Sequence, residues 1–389
     1  MHDLLRWPMR EFHFTLPVKM DDGATRVFKG YRVQYNNARG PCKGGLRWHA
    51  DECIDLVRAL ASWMTWKTSL LDLPLGVGKG GIQCNPKSLS VAEKERLARA
   101  YIRVVGRELG VNRDVPAPDV NTTPQIMAWS MDEYEVLRGE HHPAVITGKP
   151  LPLGGSLGRD NATSYGGLCV VREADRLLKL EFERERYAIQ GFGNVGGGVA
   201  KLLHERGGHV VGISAEDGAV YNEKGIDIPA AIAHYERHRH HLAGFNGGSW
   251  ITNDELLACE CDVLIPAAIE QVITRHNAAQ VKAKIVIELA NGPTTPEADE
   301  ILGKKGVLVI PDILANAGGV TVSYFEQVQN TYNYRWSVED VHEQMDRRLT
   351  AAFAAVHEMA VSHGVTHRMG AYMVALARVA EACQLRGWA

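Results

Sequence analysis

The part of the sequence that most constrains the fold is one glycine-rich turn, which reads Gly191-Phe192-Gly193-Asn194-Val195-Gly196. It follows a short apolar run over 187–190 and precedes a helical run over 199–206. In this context Gly191 permits a tight turn, and Gly193 lets the backbone approach a pyrophosphate at a helix N terminus. Gly196 allows a helix to pack closely on a strand. An ordinary glycine-rich βα turn is the alternative, but the whole pattern predicts a dinucleotide-binding unit.

Four more short apolar runs, rich in β-branched residues, follow the turn. They occupy 209–213, 262–265, 285–287 and 307–310. Buried parallel strands have this composition, and intervening helices would cover both faces of such a sheet. We therefore predict a doubly wound α/β domain of the Rossmann type over 166–315.

The end of the second predicted strand bears on the choice of cofactor. An acidic residue that accepts the ribose hydroxyls is expected there, some 20 residues after the glycines. Ala215 stands at the decisive position, which leaves Glu216 or Asp217 as substitutes or as simple turn residues. No Arg or Lys is adjacent that would bind a 2′-phosphate. The sequence thus favours NAD, with NADP as the alternative.

The regions on either side have a different pattern. Alternating runs over 12–18 and 27–35 predict an antiparallel strand pair, and a capping box opens a helix predicted over 91–109. We predict an N-terminal α/β domain over 1–165 that binds substrate and forms oligomer contacts. The C-terminal helices, over 316–389, are predicted to pack back on this first domain.

Composition excludes several classes of protein. The chain has 43 Lys and Arg against 46 Asp and Glu, a balance that does not suggest nucleic-acid binding. It shows neither a secretory signal nor an apolar run long enough for a membrane span. Seven scattered cysteines fit a reduced, cytoplasmic protein. The His-rich stretch 234–241 is interpreted as a solvated helix end, not a metal site.

Three lysines lie in unusual surroundings. Lys43 and Lys79 are flanked by glycines, and Lys67 ends an apolar run. Flanking glycines let a substrate approach both backbone and amine, and a desolvated lysine can lose its proton near neutral pH. The alternatives are a loop lysine at the surface or, for Lys67, a side chain that snorkels from an apolar helix face.

Asp119 is a candidate acid or base. Pro116 and Pro118 restrict the backbone before it and hold its carboxylate in a defined place. Because Pro124 and a helical run follow, Asp119 could instead be the N-cap of a helix.

Eight motifs, in order, give the chain a resemblance to the glutamate dehydrogenases of the Glu/Leu/Phe/Val dehydrogenase superfamily. They occupy 30–34, 36–41, 63–67, 117–120, 147–150, 154–159, 290–296 and 311–326. The resemblance runs from about Pro17 to Ala389, so it covers nearly the whole chain. It implies the reversible oxidative deamination of glutamate to 2-oxoglutarate and ammonium by a hexamer.

The resemblance also implies roles for individual residues. Lys79 would activate the attacking water, and Asp119 would carry protons. The implied substrate-binding residues are Lys67 for the α-carboxylate, Lys43 and Ser323 for the side-chain carboxylate, Val320 in the pocket wall, and Met64. By resemblance, Arg159, Thr163 and Asn291 would lie near the nicotinamide. The predicted cofactor-binding residues also include those of the glycine-rich turn and the end of the second strand, which are Gly191, Gly193, Asn194, Val195, Gly196 and Glu216. No metal is implied.

Four positions depart from the family pattern. Val77, Ser164 and Leu289 replace glycines, and Ala215 replaces an acid. Val77 could crowd the substrate or shift Lys79. These departures leave two alternatives open, a dehydrogenase for leucine, phenylalanine or valine and a catalytically weak regulatory subunit. Because a buried carboxylate needs a cation and a hydroxyl, Lys43 and Ser323 favour glutamate.

Overall fold

A computed structural model describes residues 1–389, which form two compact units. Unit 1 comprises Met1–Arg159, Val320–Val341 and Ala375–Ala389. Unit 2 comprises Asp160–Gly319 and His342–Val374. The C-terminal segment 316–389 was predicted to pack as a whole on the first domain. Its residues are instead divided between the two units.

Unit 1 is built on a five-stranded sheet in the order β1-β2-β4-β3-β5. Its strands are β1 (Arg10–Lys19), β2 (Thr25–Asn36), β3 (Cys42–His49), β4 (Gly76–Gln83) and β5 (Asp114–Pro118). Its helices before residue 159 are α1 (His2–Arg6), α2 (Ile54–Leu70), α3 (Val91–Val105) and α4 (Pro124–Arg138). Strands β1, β2 and β4 pair antiparallel, whereas β4, β3 and β5 pair parallel.

Two local predictions can be compared with unit 1. The antiparallel pair is confirmed as β1 and β2. The capping box of α3 is also confirmed, because the Ser90 side chain accepts from the Glu93 N–H and the Glu93 side chain accepts from the Ser90 N–H. The helix is shorter than predicted, however. It ends at Val105, and a 3-10 turn over Gly106–Glu108 follows.

A buried ion pair fixes the strands of unit 1 relative to one another. Arg32 on β2 donates from Nε to Oδ2 of Asp114 on β5 over 2.9 Å, and from a terminal nitrogen to the Gly44 carbonyl over 3.2 Å. Both charged side chains are fully buried. A Cβ at Gly78 would lie 2.8 Å from the Asp114 carboxylate, so only glycine leaves room for the pair on β4.

Unit 2 is built on a seven-stranded sheet in the order β12-β11-β10-β6-β7-β8-β9. Its strands are β6 (Arg186–Gln190), β7 (His209–Ala215), β8 (Gly218–Tyr221), β9 (Ser249–Ile251), β10 (Val263–Pro266), β11 (Ile285–Ile287) and β12 (Leu308–Ile310). The five strands predicted from apolar runs are confirmed, and they pair parallel. The antiparallel strands β8 and β9 were not predicted.

The remaining helices complete the chain. They are α5 (Ala162–Leu178), α6 (Asn194–Glu205), α7 (Ile228–Arg237), α8 (Asn253–Leu257), α9 (Pro296–Lys304), α10 (Asp312–Ala315), α11 (Gly318–Tyr332), α12 (Val338–His363) and α13 (His367–Leu385). A capping box opens α12, because Asp340 Oδ2 accepts from the Ser337 N–H and Ser337 Oγ accepts from the Asp340 N–H. None of the helices has both the length and the apolar character that crossing a membrane requires.

Candidate active site

Lys79 and Asp119 meet on one face of the unit 1 sheet. Lys79 projects from β4, and its Nζ donates a hydrogen bond to Oδ2 of Asp119, which follows β5. A Cβ at Gly45 on β3 would lie 2.1 Å from that oxygen, so the glycine makes room for the carboxylate. The arrangement holds an amine and a carboxylate in direct contact, as proton transfer requires.

The surroundings of Asp119 keep it ionised. Burial alone would raise the pKa of this carboxyl, but the charge and hydrogen bond of Lys79 lower it below its ordinary value. Oδ1 accepts a further hydrogen bond from the Val120 N–H over 2.7 Å. The alternative that Asp119 is a helix N-cap is wrong, because Thr123 is the N-cap of α4.

Lys43 is the buried cation of the site. Its Nζ donates to Thr147 Oγ1 over 2.6 Å, and that oxygen lies 2.7 Å from Ser323 Oγ on α11. Lys43 is only 1% exposed. Burial lowers the pKa of its amine to about 7, because an ammonium is poorly solvated there. The sequence had singled out Lys43 and Ser323, and the structure brings them together through Thr147.

Thr147 was missed as a site residue, although the motif over 147–150 was noted. A second buried ion pair holds it in place. Lys149 Nζ lies 2.7 Å from Glu326 Oε1, and both side chains are fully buried. Glu326 also accepts from the Gly148 N–H over 2.8 Å. The Thr147 loop is therefore fastened to α11 one turn beyond Ser323.

The remaining candidate residues of unit 1 lie on α2, on α11 and at the end of the first segment. Lys67 is 7% exposed in the last turn of α2, one turn after half-buried Met64. Val320 is half-buried on α11, one turn before Ser323. Burial is the main cause of the lowered pKa of Lys43. The positive charges of Lys149 and Arg159 also lower this pKa, which places Arg159 near the Lys43 end of the site.

Val77 does not project into open space. Its side chain is fully buried in a hydrophobic cluster with Val57 and Ala61 of α2, and Met64 packs against the same cluster. The expectation that Val77 crowds a substrate directly is therefore not supported. Its side chain instead supports the helix that carries Lys67.

In unit 2, the glycine-rich turn joins β6 to α6, as predicted. Gly191 has a φ of 95°, and a Cβ at Gly196 would lie 1.7 Å from the Gly191 carbonyl oxygen. A Cβ at Gly193 would meet nothing within 4 Å, so the space beside it is open. Helix α6 begins at Asn194. The turn thus leaves space at a helix N terminus, which fits the pyrophosphate of a dinucleotide.

The end of β7 separates the two acidic candidates for ribose binding. Asp217 accepts hydrogen bonds from the N–H groups of Leu242 and Ala243 over 3.0 and 2.8 Å, so its carboxylate holds a loop. Glu216 is exposed. Ala215 has no side-chain acceptor, and its carbonyl takes a hydrogen bond from Asn253. Glu216 is therefore the carboxylate here that remains available for a ligand.

Two departures from the family pattern are accommodated within unit 2. Ser164 donates from Oγ to the Val195 carbonyl over 2.9 Å, and a Cβ at Gly198 would lie 2.4 Å from that hydroxyl. Leu289 packs against Gly167, where a Cβ would lie 2.8 Å from Cδ2 of the leucine. In both cases a glycine on the facing helix makes room for the larger side chain.

Thr163 and Asn291 also lie in unit 2. Thr163 is half-buried in the first turn of α5. The Asn316 amide donates to Asn291 Oδ1 over 2.8 Å, and Asp312 accepts from the Gly292 N–H over 2.9 Å. The segment after β11 is thereby held in a defined conformation. No group of three or more His, Cys, Asp or Glu side chains in the chain could hold a metal ion.

A doubly wound sheet with this glycine-rich turn, together with a Lys–Asp pair in a second α/β unit, defines a dinucleotide-dependent dehydrogenase. Two family models match the chain: "Glutamate/Leucine/Phenylalanine/Valine dehydrogenase" over 154–387 and "Glu/Leu/Phe/Val dehydrogenase, dimerisation domain" over 8–136. The chain belongs to the Glu/Leu/Phe/Val dehydrogenase family.

Individual relatives agree with this assignment. The chain is 46% identical over 389 residues to an NAD-specific glutamate dehydrogenase of Staphylococcus aureus, covering 100% of this chain and 94% of the relative. A glutamate dehydrogenase structure from Peptoniphilus asaccharolyticus superposes with a TM-score of 0.91 at 42% identity, covering 100% and 94% of the two chains. A leucine-bound, hetero-hexameric glutamate dehydrogenase from Thermus thermophilus gives 0.92 at 39% identity, covering 98% and 91%.

Proposed function

We propose that this protein catalyses the reversible, NAD-dependent oxidative deamination of L-glutamate to 2-oxoglutarate and ammonium. The observation that carries the choice of glutamate is the buried group formed by Lys43, Thr147 and Ser323. A buried amine with two hydroxyl groups beside it suits a carboxylate, because a buried charge needs a partner and hydrogen bonds. An apolar side chain would leave these groups unsatisfied. The name of the S. aureus relative supports the same substrate and cofactor.

In the proposed chemistry, three lysines have separate roles: two bind the carboxylates of the substrate and one activates water. Lys43 binds the side-chain carboxylate, with Thr147 and Ser323 completing its hydrogen bonds. Lys67 binds the α-carboxylate, so the substrate is fixed at both ends. Lys79 activates the water that attacks the α-carbon. Two-point binding of this kind orients the α-carbon for reaction and offsets much of the entropy cost of the reaction.

Asp119 moves protons in this mechanism. NAD bound at the glycine-rich turn of unit 2 would supply the hydride acceptor for the α-carbon, and the substrate would then carry an iminium group. Lys79 takes a proton from the attacking water, and Asp119 exchanges protons with the amino group and with Lys79. The carbinolamine then collapses to 2-oxoglutarate and ammonium. The direct Lys79–Asp119 contact supports these roles, since proton transfer needs hydrogen-bond distance.

We assign cofactor binding to unit 2. Gly191, Gly193, Asn194, Val195 and Gly196 would hold the pyrophosphate. Glu216 would accept the ribose hydroxyls, in the position where a 2′-phosphate would be repelled. By the family resemblance, we also assign Arg159, Thr163 and Asn291 to cofactor binding.

We also propose that the protein assembles as a hexamer. A matching family model describes residues 8–136 as a dimerisation domain, and a Thermus relative is described as hetero-hexameric. The alternative of a catalytically weak regulatory subunit is disfavoured, because Lys79 and Asp119 retain their contact and Val77 is buried in α2 packing.

The test is turnover by the purified full-length protein with glutamate, leucine and phenylalanine, each with NAD and NADP. We expect glutamate with NAD to give the highest kcat/KM. Absence of turnover by a folded protein with every combination would overturn the enzyme assignment. A higher kcat/KM for leucine than for glutamate would overturn the proposed role of Lys43.

A further inference from the structure

The face of the sheet that carries Lys79 has a regular arrangement of glycines and charges. Strands β3 and β4 are parallel, with Arg47 opposite Gly81. Two residues earlier, the same register brings Gly45 beside Lys79. Asp119 lies over Gly45, in the space where a Cβ would be. At this register position of the two strands, the sheet therefore carries the amine of Lys79 on β4 and, on β3, Gly45 with the carboxylate of Asp119 packed over it.

The next register position, where Arg47 lies opposite Gly81, has the same arrangement with a carboxylate that has no role in the proposed mechanism. Glu52 lies over Gly81, where a Cβ would be 2.5 Å from its Cγ and 2.7 Å from its Cδ. Arg47 Nε is 3.1 Å from Glu52 Oε2. The two register positions thus form a square in which Lys79 and Arg47 alternate with Asp119 and Glu52.

The side chain of Glu52 is less exposed to solvent than that of Asp119. Its side chain is 0% exposed, whereas that of Asp119 is 19% exposed. Neither oxygen of Glu52 accepts a hydrogen bond, so the ion pair with Arg47 is its main polar contact. A carboxylate buried without hydrogen-bond donors is costly in its ionised form. It therefore has a physical reason to hold a proton.

The neighbours of Glu52 act on it in both directions. The pKa of its carboxyl is raised to about 7, and burial is the largest cause. The positive charges of Arg47 and Lys79 act to lower this pKa, and the negative charge of Asp119 acts to raise it. The other titratable groups that interact electrostatically with it are Tyr31 on β2 and Cys84 after β4.

We propose that Glu52 is a positioning residue for the reaction, a buried proton-exchanging carboxylate whose charge sets the protonation of the Lys79–Asp119 pair. This inference rests on the proposed function for its catalytic consequence. In the proposed role, Glu52 contacts neither substrate nor cofactor. It acts through the electrostatic field across Gly81, and Arg47 holds its carboxylate in place.

The direction of the effect follows from Coulomb's law. An ionised Glu52 favours the ammonium form of Lys79, whereas the proposed water activation needs the free amine. Replacing Glu52 with a neutral side chain should therefore make the free amine available at lower pH. One charge in a neighbouring position of a partly buried site should move the pH profile of the rate by about one pH unit.

The first experiment is the pH profile of kcat/KM for glutamate with NAD, on the full-length protein. In Glu52→Gln the acid limb should move to lower pH by about one unit. Glu52→Asp, which keeps the charge, should return the limb toward that of the wild type. If the Gln variant does not fold, Glu52→Met, which is similar in volume and also uncharged, should give the same shift.

Glu133→Gln is the matched control. Glu133 is a buried carboxylate of unit 1 that pairs with Arg99 and Arg103, and it lies on α4 outside the site. Its variant should keep the wild-type limb even if its thermal stability falls. An acid limb in Glu52→Gln that superposes on the wild type, or that moves equally in Glu133→Gln, would overturn the proposal.

The second experiment needs no turnover. An infrared titration of the resting enzyme should show the carbonyl band of a protonated carboxylic acid that disappears near neutral pH, and Glu52→Gln should lack this band. Absence of the band from the wild type would show that Glu52 holds no exchangeable proton and would overturn the proposal. If the band titrates but glutamate is not oxidised, the proposed function fails instead.

Discussion

Lys79 donates a hydrogen bond to Asp119, although 40 residues separate them in the chain. The contact exists because β3 lies between the strands that lead to the two residues, and Gly45 on β3 leaves the space that Asp119 fills. An amine and a carboxylate held this closely can exchange protons with a substrate in the low dielectric of a partly buried site.

This contact predicts the behaviour of two variants. Lys79→Ala should abolish turnover, and Asp119→Asn should lower kcat by about 10²–10⁴-fold, the range expected for a lost proton-transfer group. NAD affinity should be unchanged in both, because the glycine-rich turn lies in unit 2. Steady-state kinetics and NAD titration by fluorescence would measure this. Lys29→Ala, at an exposed position on β2, is the control. Retained turnover in Lys79→Ala would refute its role.

Lys43→Leu should change substrate preference. Removing the buried amine leaves Thr147 and Ser323 without their cation, so the ratio of kcat/KM for glutamate to that for leucine should fall by about 10–100-fold. Comparison of the two amino acids at one pH measures the ratio. If it does not change, the side-chain carboxylate is bound elsewhere.

The stability of the protein should depend on pH through Lys43. Burial lowers the pKa of Lys43 to about 7, from an ordinary value of 10.5. Between these pH values the unfolded state binds more protons than the folded state, so this residue's contribution to stability rises with pH. Lys43→Met should therefore exceed the wild type in urea midpoint below about pH 7. The advantage should vanish as pH approaches 10.5, and a constant difference would contradict this assignment.

The buried Lys149–Glu326 pair should contribute strongly to stability. Glu326→Gln leaves Lys149 charged and buried without its carboxylate, which should cost about 3–5 kcal/mol of unfolding free energy. Glu181→Gln is the control, since Glu181 and Arg184 are 66% and 79% exposed, and such pairs contribute less than about 1 kcal/mol. Denaturant unfolding of both variants measures the difference. A loss no larger than that of the control would show that the Thr147 loop is fastened by other contacts.

Glu216 should determine the cofactor preference. Glu216→Ala removes the available carboxylate at the end of β7, so kcat/KM with NADP should rise relative to NAD. Asp217→Asn should not change this ratio, because Asp217 is bonded to Leu242 and Ala243. It should instead lower the thermal midpoint. If only Asp217→Asn changes the ratio of kcat/KM with NADP to that with NAD, then Asp217 binds the ribose and Glu216 does not.

Much of unit 2 could be predicted from the sequence because its signals are local. The turn over 191–196 and the five apolar strands are each encoded in a few consecutive residues, and all are present. Strands β8 and β9 were missed because they lack the runs of β-branched residues by which β7, β10, β11 and β12 were recognised.

The candidate site was predictable in its members but not in its contacts. Lys43, Lys79 and Asp119 stand out by their neighbours in sequence. Glycines beside the two lysines let a substrate approach, and prolines restrict the backbone before Asp119. Thr147 gave no such signal of its own, because a hydroxyl between a lysine and a serine has meaning only when the three are adjacent. Glu52 gave none either, because only the fold places it over Gly81.

By itself the sequence determined the class of fold, the glycine-rich turn, the family resemblance and the lysines that a substrate would meet. The tertiary structure alone decided which of them touch. It paired Lys79 with Asp119, joined Lys43 to Ser323 through Thr147, buried Val77 against α2 and committed Asp217 to a loop. The physical reason is that local backbone preferences act over a few residues, whereas burial, charge pairing and the space left by a glycine depend on chain segments far apart in sequence.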